Sequence, residues 1–126
     1  MTPKMGADAL LDFDLVYVAT PYRKYTGGLE AAYEAAGAVA GELSRLGVSV
    51  FCPITHSHSI AQHSGLDPTD NDLWMRINKK VAPVCDAIVV ARLDGWEHSD
   101  GIAEEIVLFA GKPIFHIDPV TMEIVG

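Results

Sequence analysis

The chain has 126 residues, 49% of them hydrophobic, with a mean hydropathy of +0.20; that suits one domain with a real core and excludes a disordered tail. No apolar run approaches the roughly 20 residues of a membrane-spanning helix, and the first dozen residues lack the basic-then-apolar layout of a secretory signal, so no membrane partner is expected. Nine Lys and Arg against seventeen Asp and Glu give a net charge of −8, which argues against a nucleic acid polymer but leaves room for a single nucleotide in one local positive pocket.

Residues 1–13 read as a short leader. Leu15-Val16-Tyr17-Val18-Ala19 is an apolar run rich in β-formers, closed by Thr20-Pro21, and predicts a buried strand. A loop from Tyr22 to Gly28 carries Arg23, Lys24 and Gly27-Gly28. From Leu29 the period changes: Leu29, Ala32, Ala36, Val39, Leu43 and Leu46 recur at three and four, one face of a long helix with Gly47 as its stop. Gly37 and Gly41 inside it cost helix stability and are expected to mark close packing against the sheet. Val48 to Cys52 predicts the second strand, stopped by Pro53, and Ile54 to Asn71 reads as a long polar loop rich in His, Ser and Asp.

Asp72 to Ala82, with Leu73, Ile77 and Val81 at four-residue spacing and Pro83 beyond, predicts a second helix. Asp86 to Ala91 predicts a third buried strand. A turn from Leu93 to Asp100, a short helix from Gly101 to Ala110 and a strand from Pro113 to Ile117 follow, and Thr121 to Val125 is a candidate edge strand. Strands alternating with helices predict a single α/β domain, a flavodoxin-like or Rossmann-like parallel sheet of four to five strands with helices on both faces. Ligands of such sheets bind beyond the carboxyl ends of the strands, here Thr20 to Arg23, Pro53 to His58 and Asp94 to Glu105. Cys52 and Cys85 form no C-x-x-C pair and are expected as small buried residues of a protein in the reducing cytoplasm.

The most informative segment is Asp94 to Glu105, which runs from a strand end into a helix N-terminus, where free N–H groups and the dipole favour an anion. Ser99 and Gly101 are residue types that let backbone approach a ligand and add a hydroxyl. Glu105 lies about one turn into the helix. A carboxylate there can attack or stabilise a cationic sugar carbon; equally, Glu104 and Glu105 are first-turn acids that suit the dipole. His56-x-His58, with His63 nearby, has no cysteine pair to support a zinc site, so no metal or cofactor is expected. His56, just past the second strand, is expected to face the pocket or hold the loop, His98 and His116 to be surface and strand residues. Trp74 and Trp96 read as packing residues or as platforms for a base.

Tyr17-Val18-Ala19-Thr20-Pro21-Tyr22 and Gly95-Trp96-x-x-Ser99-x-Gly101-x-x-x-Glu105 resemble the signatures of the nucleoside 2-deoxyribosyltransferase-like superfamily. Cys52-Pro53-Ile54-Thr55-His56-Ser57-His58 with the Gly-Trp segment resembles its DUF1937 branch. The resemblance implies that Glu105 attacks C1′ of a deoxyribose, that Tyr17 orients it, and that Arg23 and Ser99 contact a phosphate. A substrate pocket that includes Thr20, Pro21, Tyr22, His56, Gly95, Trp96 and Gly101 follows from it, as does a homo-oligomer. Two departures stand out. The family usually places a catalytic aspartate eight residues before Asp86, and that position is Asn78; an amide cannot shuttle a proton, and Asp72 is the nearest possible substitute. The helix after Glu105 also reaches Gly111-Lys112 about two residues early. The expected function is cleavage of the N-glycosidic bond of a 2′-deoxynucleotide or nucleoside, or else binding of a nucleotide without turnover.

Overall fold

The apolar runs of the sequence form the centre of one sheet. The computed structural model describes residues 5–126, so residues 1–4 of the expected leader lie outside the described residues. The strands are β1 (Met5–Gly6), β2 (Val16–Ala19), β3 (Val50–Phe51), β4 (Ala87–Ala91), β5 (Ile114–Ile117) and β6 (Glu123–Val125). Their order is β1-β6-β5-β4-β2-β3. β3, β2, β4 and β5 are parallel, as predicted; β6 runs antiparallel to β5, and β1 antiparallel to β6. The candidate edge strand is therefore not the edge, because β1 covers it.

β2 and β4 are buried at every residue, which is why they read as unbroken runs of Val, Ile, Ala and one Tyr rather than as alternation of apolar and polar residues. Their side chains still alternate between two helical layers. Val16, Val18, Val89 and Ala91 meet Ala36, Val39 and Leu43 of α1 (Leu29–Arg45). Tyr17, Ala19, Ile88 and Val90 meet Ile102 of α4 (Asp100–Leu108), its cap Phe109, and Ala82 just beyond α3 (Asn71–Val81). Asp86 pins the start of β2 by accepting from the N–H groups of Asp14 and Leu15, both at 3.0 Å. At the same end Lys112 Nζ ties the chain before β4 to that before β5, donating to the carbonyls of Ala82, Pro83 and Cys85.

Four expectations change. The segment read as a loop from Ile54 is a helix, α2 (Pro53–Ser64). Its buried stripe is Pro53, Ser57 and Ala61, with His58 beside it, so polar residues occupy inward positions and erase the apolar period. The terminal signals were present: Pro53 at its first turn, and Gly65 in the left-handed conformation at its end. Gly37 and Gly41 do not pack on the sheet: a Cβ on Gly37 would meet only Thr55 of α2, at 4.0 Å, and Gly41 faces open space. Leu46, placed on the buried face by its spacing, is exposed because α1 has already ended. The described part of the leader is no appendage, since Ala7–Asp12 forms a 3-10 helix that buries Ala7 and Leu10 in the core.

Candidate active site

At the carboxyl ends of β2 and β4, and beyond β3, the chain leaves a cleft of about 250 Å³, just below the roughly 300–1,000 Å³ usual for small-molecule sites. The loop after β2 supplies Thr20, Tyr22, Arg23 and Lys24, the start of α2 supplies Pro53, Ile54 and Ser57, and α3 supplies Asn71, Trp74, Met75 and Asn78. Ser99, Asp100, Gly101, Glu104 and Glu105 close it from the start of α4, with Pro68 and Thr69 at the rim.

Glu105 stands in the wall with only 6% of its surface exposed. Its Oε2 accepts the hydroxyl proton of Tyr17, which is completely buried in β2. Burial pushes the Glu105 carboxyl up to about 8; the Tyr17 bond opposes that rise and the neighbouring charge of Glu104 adds to it. Burial, with the charge of Glu105, likewise keeps the Tyr17 phenol protonated far above its ordinary value. A first-turn acid that merely complements a helix dipole belongs in water; this one faces inward.

Ser99 is the N-cap of α4, its Oγ accepting from the Ile102 N–H at 3.2 Å. The cap uses the oxygen as acceptor and leaves the hydroxyl proton for a ligand. Arg23 donates to the Thr69 carbonyl across the rim. Asp67 beside it is held below the usual carboxylate range by its bonds from Thr69, with the Arg23 charge acting in the same direction. Thr20 is buried, and its hydroxyl is, among the described residues, the buried side-chain polar atom left without a partner. A polar ligand group would satisfy it.

Gly95 holds the wall together without touching the cleft. It adopts φ of +88°, and a Cβ there would lie 2.1 Å from the Lys24 carbonyl oxygen. The loops after β2 and β4 thus meet backbone to backbone.

The structure brings Glu105, Tyr17, Thr20, Tyr22, Arg23, Asn78, Ser99 and Gly101 together at the cleft, all of them in its lining except Tyr17, which stands behind Glu105. Pro21 is buried beside it. Asp72 lies outside, exposed on the first turn of α3 in a shallow groove with Arg76, Lys79 and Lys80. His56 is exposed and packs on Phe51, away from the lining. Trp96 packs edge-on against His116 at 5.2 Å, under the Arg92 guanidinium at 4.8 Å. His56 and His58 diverge, and among the described residues no three His, Cys, Asp or Glu are grouped to hold a metal. Among the described residues, no helix is long and apolar enough to cross a membrane.

Trp74, expected as a packing residue or as a platform for a base, forms an apolar wall with Met75, its Nε1–H bonded to the Asp67 carbonyl at 2.9 Å. The signal for this face was available: Asn71, Met75 and Asn78 recur at helical spacing on α3, so the inward stripe carries amides. Ser57 was hidden with α2. The family model described as "Domain of unknown function (DUF1937)" matches residues 14–118, and no curated protein matches the chain.

Proposed function

The chain belongs to the DUF1937 family, and from its buried Glu105–Tyr17 pair we propose that it is an enzyme of the nucleoside 2-deoxyribosyltransferase kind, cleaving the N-glycosidic bond of a 2′-deoxynucleotide or nucleoside. Tyr17 holds Oε2, and Oε1 attacks C1′. The C1′–N bond breaks, its electron pair goes to the base, and the base takes up a proton. Water or a second base then attacks C1′ and frees Glu105. A carboxyl held near 8 is mostly protonated at neutral pH; its ionised form is the nucleophile, and positive charge growing on the sugar carbon favours that form.

The rest of the cleft supports the same ligand. Trp74, Met75 and Ile54 offer apolar surface to a base. Arg23, Lys24 and the Ser99 hydroxyl at the start of α4 gather the cationic and donor groups a 5′-phosphate needs. Arg23→Ala is therefore expected to weaken nucleotide binding about 10- to 100-fold, the worth of one charge-assisted contact, and nucleoside binding less than threefold. Calorimetric titration of both ligands checks this, and equal losses would remove the phosphate role.

Asn78 favours a second reading, a nucleotide-binding module without turnover, because an amide occupies the buried wall where the superfamily usually has its acid. The two separate on one incubation with the four deoxynucleoside monophosphates and the matching nucleosides. Free base in the chromatogram supports the enzyme. Thermal stabilisation by a nucleotide without any release supports the module, and neither result leaves both wrong.

A further inference from the structure

Breaking a C–N glycosidic bond places an electron pair on the base, and a positioned acid that protonates it typically contributes 10²–10⁴-fold. Asn78 cannot serve. Among the described lining residues with a transferable proton, Lys24, Asp100 and Glu104 are exposed, and Glu104 accepts from Asn71. Tyr22 is different. It is buried in the wall, and its hydroxyl lies 2.6 Å from His58 Nδ1. His58 Nε2 lies 2.8 Å from Glu30 Oε2, which also accepts from Gln62 at 3.1 Å.

The imidazole is fixed on every side. It stacks on Tyr33 at 4.2 Å and meets Tyr22 edge-on at 5.8 Å, with only 6% of its residue surface exposed. Residues 36 and 28 positions from His58 thus converge on its two ring nitrogens. A carboxylate, an imidazole and a phenol in series form a proton relay.

Resting on the reading above, we propose that Tyr22 is the catalytic acid that protonates the departing base and that His58, oriented by Glu30, replaces its proton. In its imidazolium form His58 donates through Nε2–H to Glu30 and through Nδ1–H to the Tyr22 oxygen, which turns the phenolic proton towards the ligand. As the C1′–N bond breaks, the phenolic proton passes to the base nitrogen and the Nδ1 proton passes to the Tyr22 oxygen. The base leaves neutral, His58 ends neutral, and no phenolate forms. That last point matters because burial, with the charges of Glu30 and Asp67, pushes the Tyr22 phenol up to about 12.

The test compares two leaving groups. One is the best natural nucleotide from the incubation. The other is its counterpart whose leaving group needs no proton, 7-methylguanine for a purine or p-nitrophenol for a pyrimidine. Tyr22→Phe keeps the ring packing and is expected to lower kcat on the natural substrate at least ~100-fold with KM within about threefold. On the activated substrate it should lose less than about threefold. His58→Gln should fall in the same direction and carries the test if Tyr22→Phe does not fold. Equal loss on both substrates, or no loss on the natural one, overturns the relay while the glycosidic reading stands. A natural protein that cleaves neither substrate overturns that reading, and the relay with it.

Discussion

Glu105→Gln is expected to lower base release at least ~1,000-fold, the scale of losing a nucleophile, while the fold stays intact and gains stability at alkaline pH. Glutamine matches the shape of the protonated carboxyl and can still accept the Tyr17 hydroxyl proton. The carboxyl rises from 4.5 to about 8 in the folded protein, so the unfolded chain ionises first. Its stabilising contribution is complete below about 4.5 and is lost as pH rises through 8. Glutamine has no such loss. By pH 9 the variant should exceed the natural protein by on the order of 5 kcal/mol, since each unit of displacement is worth about 1.4 kcal/mol. Melting curves at pH 5 and pH 9 read this as a Tm difference that grows by about 6 °C or more. A difference that is flat with pH would mean that Glu105 is not held in a dry wall.

Gly95→Ala is expected to cost roughly 3 kcal/mol or more and to open the cleft. Its backbone is left-handed, which penalises any side chain by about 1 kcal/mol, and the added Cβ would sit 2.1 Å from the Lys24 carbonyl oxygen. Backbone atoms cannot swing aside as a flexible side chain does. One of the two loops must retreat, taking Arg23 and Lys24 from the helix end that carries Ser99. Urea unfolding should give a lowered midpoint, and nucleotide should stabilise the variant far less than the natural protein. A midpoint within ~0.5 kcal/mol of the natural protein would show that the loops have slack.

The parallel core was legible because its central strands are buried on both faces, so β2 and β4 announce themselves as the apolar runs Val-Tyr-Val-Ala and Ala-Ile-Val-Val-Ala between turn residues. The position of the cleft followed from topology alone, at the strand ends. Side-chain direction did not follow. His56 was the histidine expected at the pocket, yet α2 turns it outward and buries His58 instead, because residues two apart on a helix face away from each other. Reading that segment as a loop removed the very rule that separates them. The Tyr22–His58–Glu30 chain had no sequence signal, since it joins a loop and two helices through long-range packing. Gly95 was visible as a motif glycine, but its reason lies in the Lys24 carbonyl on another loop.

Catalysis through Glu105 turns on the covalent step, and intact-mass analysis tests it directly. The natural protein is mixed with 2′-fluoro-2′-deoxynucleoside monophosphates, whose fluorine slows the release of the sugar, and quenched in acid. A glycosyl-enzyme on Glu105 gives a mass increase equal to the fluorinated sugar phosphate, one base released per adduct, and fragmentation that places the adduct on Glu105. Base released with an unmodified Glu105 peptide, or neither adduct nor release from these and the natural nucleotides, would contradict it.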